Sequence, residues 1–273
     1  ALPGATFLPL AGYRIQYSKE GRWFLFKMIT QVPKIIFSVY YERNWLRKMQ
    51  KQFQFDLIIS DNRFGFYHKQ LPSVFITHQL NVQTGFSFTN TLVRWLQYRY
   101  IKKFSSLWIP DIEGKENYAG ILSNPIKKPS MPTWYLGALS RLSPNNNLQA
   151  LDPIQFLGIV SGPEPQRTLF ENTLWMQGNA GDAAFAIVAG RPKGNNEPTI
   201  SNKGKLYPHV DGTSLAGLIE SAEYIIFRGG YTSLMELIPF QKKLIIIPTP
   251  GQTEQEYLAS WWETNGWAIS FSQ

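Results

Sequence analysis

The chain contains no cysteine, which excludes disulfide staples and thiolate chemistry and permits a reducing compartment. No apolar run approaches the ~18 to 20 residues of a membrane-spanning helix. Lys and Arg are never denser than pairs such as Lys102-Lys103 and Lys127-Lys128, so the phosphate-tracking stripe of a general nucleic-acid binder has no basis here. No short period of the solenoid kind recurs, and no His/Asp cluster has metal-ligand spacing. The sequence begins at Ala1 with neither Met nor a signal-type segment, which leads to the expectation of a missing or processed start.

What is present is burial capacity. The 273 residues are 44% hydrophobic and include 9 Trp, 13 Tyr and 18 Phe, far more than a disordered chain carries. That length suits two compact halves or one large α/β unit. Charge is +8 from 27 basic and 19 acidic residues, yet charged residues make up only 17% of the chain. A basic protein of low charge density suits anionic small molecules or an acidic membrane surface.

The first third mixes basic and aromatic residues, from Trp23-Phe24-Leu25-Phe26-Lys27 to Trp45-Leu46-Arg47-Lys48. The spacing of Ile36, Val39, Tyr40, Arg43 and Arg47 predicts an amphipathic helix from about Pro33 to about Gln52. Two readings of it stand side by side: a core-packed helix with a solvated basic face, or a face that leans on a membrane. Short apolar runs ending in polar residues follow: Phe55–Asp61, Ser73–His78 and Ser106–Asp111, with a basic aromatic helix at Leu92–Phe104 between the last two. Buried parallel strands alternating with helices are the expectation. After Ser143-Pro144-Asn145-Asn146-Asn147 the same grammar restarts with strands at Phe156–Val160, Ala184–Val188, Glu223–Phe227 and Lys243–Ile247, and a helix at Thr168–Gln177. The expected architecture is therefore α/β: two Rossmann-like domains facing a cleft, with an N-terminal domain over 1–142, a linker over 143–152 and a C-terminal domain over 153–273.

In open parallel sheets, ligands bind beyond the carboxyl ends of the strands. The polar residues there are Asp61, His78, Ser161, Arg228 and Gln252. The strongest cluster runs from Phe227 to Glu236: Arg228-Gly229-Gly230 after a strand lets backbone approach a bulky anion, and Glu236 is placed to accept from a ribose diol. The same residues allow a plainer reading, in which Ser233-x-x-Glu236 is a capping box. Downstream, Gln252, Gln255 and Glu256 set amides beside carboxylates on a Gly/Pro-shaped turn, which suits a hydroxyl-rich ligand or an ordinary helix start. The turn Ser161-Gly162-Pro163-Glu164-Pro165-Gln166-Arg167 offers a hydroxyl, a glycine and an arginine, or is merely a tight turn. In the first half, His78 is a candidate base or a satisfied structural histidine. Asp61 is the other candidate base, or an Asx-turn residue; pairing with Arg63 would lower its pKa.

The stretch from Phe227 to Tyr257 resembles the donor-binding half of glycosyltransferase family 28. The resemblance matches Arg228, Gly230 and Glu236 to the family's Arg-Ser-Gly turn and ribose-binding Glu, and Gln255 to the first of its Gln-Gln pair. Gly229 stands in place of Ser, and Glu256 in place of the second Gln. By the same resemblance Ser161, Gly162 and Arg167 sit at the pyrophosphate loop, and Thr77-His78-Gln79-Leu80-Asn81 through Asn90 at the His-Glu-Gln-Asn segment on the acceptor side. Gln79 replaces the family's Glu there, so a carboxylate is lost. Asn62, Arg63, Gln79 and Asn81 complete the expected acceptor side. The resemblance also implies an opening strand with a Gly-rich loop bearing a catalytically important residue, and a closing helix; Ala1–Ser18 has no such loop, so the expectation is that these parts are missing from this sequence or that the chain is a degenerate member, with the base at His78, at Asp61 or in that opening.

What this implies is an inverting glycosyltransferase that needs no cofactor and no metal, taking a sugar such as N-acetylglucosamine from a UDP-sugar to a hydroxyl of a lipid-linked or cell-envelope saccharide at the inner membrane face. The alternatives are an epimerase of the same fold, a non-catalytic nucleotide-sugar-binding protein, and a membrane-surface protein.

Overall fold

The computed structural model describes residues 4–10, 24–82, 87–144, 151–192 and 197–273. Parts of several expected segments lie outside the described residues: Trp23, residues 83–86 of the acceptor-side stretch, and residues 145–150 of the linker; residues 193–196 also lie outside them.

Helix α1 (Phe24–Phe53) starts about nine residues before the expected Pro33 and continues through it. Proline removes one backbone donor and does not by itself end a helix that is otherwise supported. Of the face expected from the spacing, Ile36 and Tyr40 are 54% and 63% accessible and Arg47 is exposed, while Val39 and Arg43 are half-buried. The helix is held instead by buried Leu46 and by Glu42, whose carboxylate accepts from Arg63 Nε at 2.6 Å and from Gly65 N at 3.1 Å. A Cβ on Gly65 would lie 2.3 Å from the Val39 carbonyl oxygen, so glycine lets this loop touch the helix backbone.

Strands β1 (Ile58–Asp61), β2 (Ser73–Ile76), β3 (Ser106–Ile109) and β4 (Thr133–Tyr135) form a parallel sheet in sequential order. Helix α2 (Ser87–Ile101) crosses between β2 and β3. Phe75, Leu80, Ile101, Phe104, Leu107 and Ile109 make a compact core beside it.

The second half contains β5 (Ile154–Ile159), α3 (Gln166–Ala180), β6 (Phe185–Val188), β7 (Thr199–Ile200), β8 (Gly204–Tyr207), α4 (Gly212–Ser221), β9 (Ala222–Phe227), α5 (Tyr231–Leu237), β10 (Lys243–Ile246), α6 (Thr253–Thr264) and β11 (Ala268–Ser270). Their sheet runs β11-β10-β9-β5-β6-β8-β7, parallel except for β7. Without β7 this is the doubly wound order of a dinucleotide-binding fold, reversing at β5. The crevice at that switch point lies between the loops after β5 and β9. The expectation of two parallel α/β sheets therefore holds. No described helix is long and apolar enough to cross a membrane.

The halves join through the loop 111–123. Asp111 is fully buried, and its carboxylate accepts from the backbone N–H groups of Ile112 (2.7 Å), Tyr118 (2.8 Å) and Ala119 (3.0 Å) and from the Ser123 hydroxyl. The loop so shaped inserts Ala119 and Leu122 into the second half's core. It also accepts indole N–H bonds from α6, with Trp261 donating to the Asn117 carbonyl at 3.0 Å and Trp262 to that of Tyr118 at 2.7 Å. Tyr257 Oη accepts from Ile121 N at 2.9 Å. Gly120, at φ +57°, sits where a Cβ would lie 2.0 Å from that hydroxyl oxygen. Asp111→Ala leaves three backbone N–H groups and the Ser123 hydroxyl without their acceptor and is expected to destabilise the protein by about 3 kcal/mol or more; the midpoint of urea unfolding measures this, and a midpoint equal to wild type would refute the loop's role.

Candidate functional site

Three loops converge at the carboxyl ends of the second sheet: Ser161–Pro165 after β5, Arg228–Gly230 after β9, and Ile247–Gln252 after β10. Arg228 pins them together. Only 2% exposed, its guanidinium donates to the carbonyls of Ile247 (3.3 Å), Pro248 (3.4 Å) and Gln166 (3.2 Å) and to Gln273 Oε1 (2.7 Å). It also lies 4.0 Å from the centroid of the Phe170 ring. These partners are neutral, and burial lowers its pKa to about 10, so the cation persists at neutral pH. The side chain itself faces inward, and its donors are taken by the chain's own oxygens.

Gly229 has φ +72°, and a Cβ there would meet Ile246 Cγ2 at 2.5 Å. That explains why glycine and not the expected serine occupies the position. Gly230 caps α5 with no side-chain bond, and a Cβ there would meet nothing within 4 Å. Helix α5 begins one residue later, which puts Ser233 in its first turn instead of at its cap. The capping box allowed by the sequence is therefore not formed, and Glu236 pairs instead with the Nε of exposed Arg141.

The remaining donor-side residues engage their own loops. Glu164 accepts from Arg167 Nε at 2.9 Å and from the Thr168 backbone N–H and hydroxyl at 3.2 and 2.9 Å. These bonds, led by that to Arg167, hold its carboxyl below the usual range. Ser161 and Gly162 are exposed beside this pair. Gln255 Oε1 accepts from Thr249 N and Glu256 Oε1 from Gly251 N, at 2.9 and 2.8 Å. Gln252 caps α6 through its backbone, without a side-chain bond. Gln255 and Glu256 thus shape the loop 249–252.

On the first sheet, Asp61 and Asn62 are exposed at the end of β1. Arg63 turns to Glu42 of α1, so the considered Asp61–Arg63 pairing is replaced by a partner that only the path of α1 brings near. His78, two residues beyond β2, reaches the other half. Its ring stacks on Tyr231 at 3.7 Å and 3°, and its Nε2 lies 3.2 Å from Glu254 Oε1. Gln79 donates to the other Glu254 oxygen and, through its carbonyl, accepts from Gln97. Asn81 is fixed by its backbone N–H on the Leu122 carbonyl at 3.2 Å. Tyr231 is buried and donates to the Pro110 carbonyl. Burial, with Asp111 and Glu254 nearby, pushes its pKa well above the usual phenol range, keeping it a donor.

Sequence reasoning passed over Tyr231, Glu254 and Asp111. Glu254 looked like any first-turn acid, and Asp111 ended a strand run without a motif around it. Its place directly after β3 was the one available signal.

Two facing α/β layers with a doubly wound second sheet define the GT-B glycosyltransferase fold. The structure superposes on the crystal structure of the glycotransferase of kitacinnamycin with TM-score 0.60 at 12% identity, covering 89% of this chain and 70% of that one. It also superposes on the glycosyltransferase SnogD from Streptomyces nogalater (0.54, 13%, 86% and 67%) and on the spinosyn rhamnosyltransferase SpnG complexed with thymidine diphosphate (0.54, 10%, 87% and 65%). Residues 181–273 match the model of the glycosyltransferase family 28 C-terminal domain. No curated protein sequence matches the chain.

The two glycines separate backbone need from side-chain tolerance. Gly229→Ala is expected to cost about 2 to 4 kcal/mol from the left-handed backbone and the clash together, whereas Gly230→Ala should stay within about 0.5 kcal/mol. Chemical denaturation of both variants checks this, and equal effects would contradict it.

Proposed function

We propose that this chain transfers a sugar from a UDP-sugar to a hydroxyl of a lipid-linked or cell-envelope saccharide with inversion, as a hexosyltransferase for which N-acetylglucosamine is the first sugar to test. The observation that carries the reading is the stacking of His78, on the first half, against the opening residue of α5, on the second. A base candidate and the Arg228–Glu236 motif thereby share one crevice. The family 28 domain and the thymidine diphosphate bound by the spinosyn rhamnosyltransferase favour a nucleoside diphosphate on the second half.

In the proposed step the acceptor hydroxyl oxygen attacks the anomeric carbon as its proton passes to the free ring nitrogen of His78. The bond from that carbon to the diphosphate breaks, and the diphosphate leaves with the electron pair. Arg228 and the Gly229-Gly230 backbone offset the charge that develops on it. Glu236 exchanges the exposed Arg141 for the ribose diol, which replaces the hydrogen bonds that the arginine gives it. Asp61 remains the second candidate base, at the neighbouring strand end.

A membrane-facing acceptor finds support on α2. Arg94, Arg99, Lys102, Lys127 and Lys128 line a groove of ≈480 Å³ with Trp95 and Tyr98, and Trp95 is 58% exposed. Such a basic, aromatic-rimmed groove suits a surface of anionic headgroups.

UDP-N-acetylglucosamine at a hundredfold excess over its Kd is expected to stabilise the protein by about 2.7 kcal/mol, a Tm rise of about 5 °C for a chain of this size. Glu236→Ala should abolish most of that rise, and an unchanged rise would remove Glu236 from the donor site. Flotation with vesicles containing phosphatidylglycerol should recover wild type, and Arg94→Glu with Arg99→Glu should lower recovery severalfold; equal recovery would withdraw the membrane surface.

A further inference from the structure

We infer that Glu254 is a positioning residue for His78, and that its location across the cleft orients the base only while the two halves are closed on each other. This rests on the reading of His78 as the base, and it adds a residue that neither the sequence motifs nor the family 28 domain singles out.

Three restraints act on one imidazole. Glu254 lies in the first turn of α6, and its two carboxylate oxygens are divided between adjacent residues of the first half, Oε1 at His78 Nε2 and Oε2 at Gln79 Nε2. An ionised carboxylate only accepts, so the His78 nitrogen facing it carries the hydrogen and the lone pair is left on Nδ1. Gln79 keeps the carboxylate from rotating away. The Tyr231 ring, parallel to the imidazole within 3°, fixes its plane. Tyr231 is itself tied to the first half by its hydroxyl on the Pro110 carbonyl.

The division between halves gives the arrangement its consequence. His78 and Gln79 follow β2, whereas Glu254 and Tyr231 belong to α6 and α5. Parting the halves removes the hydrogen-bond partner and the stacking partner together. In the closed form, a proton taken from the acceptor hydroxyl onto Nδ1 gives an imidazolium whose Nε2–H stays on Glu254, and that proton is released to solvent after turnover. The chain thus supplies its orienting carboxylate from the donor side, while position 79 on the acceptor side holds a neutral amide.

The test compares wild type with Glu254→Gln, Glu254→Asp, His78→Gln and the double variant His78→Gln/Glu254→Gln. UDP release from UDP-N-acetylglucosamine is followed in the presence of an envelope lipid extract, and the ring nitrogens of His78 are observed by two-dimensional 1H–15N NMR without substrate. Glu254→Gln should lower kcat on the order of a hundredfold with donor KM unchanged, and Glu254→Asp should restore part of it. The double variant should be no slower than His78→Gln alone, because Glu254 acts through His78. The His78 ring signals should shift in Glu254→Gln. Unchanged ring signals, a wild-type kcat in Glu254→Gln, a loss confined to KM, or losses that multiply in the double variant would each overturn the inference while leaving His78 as the base. A wild-type rate in His78→Gln would overturn the base assignment and the inference with it. If wild type releases no UDP, the proposed donor fails and the ring signals alone decide the positioning.

Discussion

The contacts that the loop 111–123 makes across the two halves depend on how one buried carboxylate is satisfied. Asp111 has no cation among its hydrogen-bond partners; three backbone N–H groups and the Ser123 hydroxyl neutralise it. An acid buried in this way is held by geometry, since each donor must point inward from a different part of the loop. The loop is thereby folded into the one shape that offers the Asn117 and Tyr118 carbonyls to the indoles of α6. With α6 docked, its first turn brings Glu254 to His78. The Pro110 carbonyl, immediately before Asp111, takes the Tyr231 hydroxyl. A single acid in the first half therefore sets the position of two helices in the second.

Several donor-side residues share a second property: the polar groups of Arg167, Arg228, Glu236, Gln255 and Glu256 already have partners within the chain. Arg167 holds Glu164, Glu236 holds Arg141, and Gln255 and Glu256 hold the backbone of the loop 249–252. The contacts differ in exchangeability. Those of Arg228 are buried and organise three loops, so they belong to the scaffold. That of Glu164 is at the surface and that of Glu236 reaches out to the exposed Arg141, and ion pairs with an exposed partner are weak and readily replaced by a better-fitting ligand group. Scaffold and ligand-facing groups are thus separated by burial and not by residue type.

Most of the architecture was legible because it rests on local pattern. Runs such as Ser73-Val74-Phe75-Ile76 and Leu244-Ile245-Ile246 read as buried strands and are strands in register with their neighbours. Thr133-Trp134-Tyr135 and Ala268-Ile269-Ser270 are three-residue strands at sheet edges, too short for an alternation to register. The start of α1 was misplaced because Pro33 looked like a boundary, and the choice between a covered and an outward-leaning face stayed open because periodicity says which residues share a side but not whether that side is covered. For the candidate site, Arg228 and His78 were singled out by their places just beyond strand ends, and Glu236 by its spacing from Arg228. Glu254 and Tyr231 were not, because what makes them notable is a contact between residues 176 positions apart in the first case and a ring stack across the cleft in the second. No local spacing encodes either.

Ala119 and Leu122 belong to the first half by chain order but are buried among Leu157, Phe227, Leu258 and Trp262 of the second. A core shared in this way does not let one layer melt while the other stays whole. Opening the first sheet drags two apolar side chains into water from the second, and unfolding the second strips the loop that Asp111 organises. The two layers should therefore unfold as one cooperative unit, so that an excised half of this chain would expose a wound and not a finished surface.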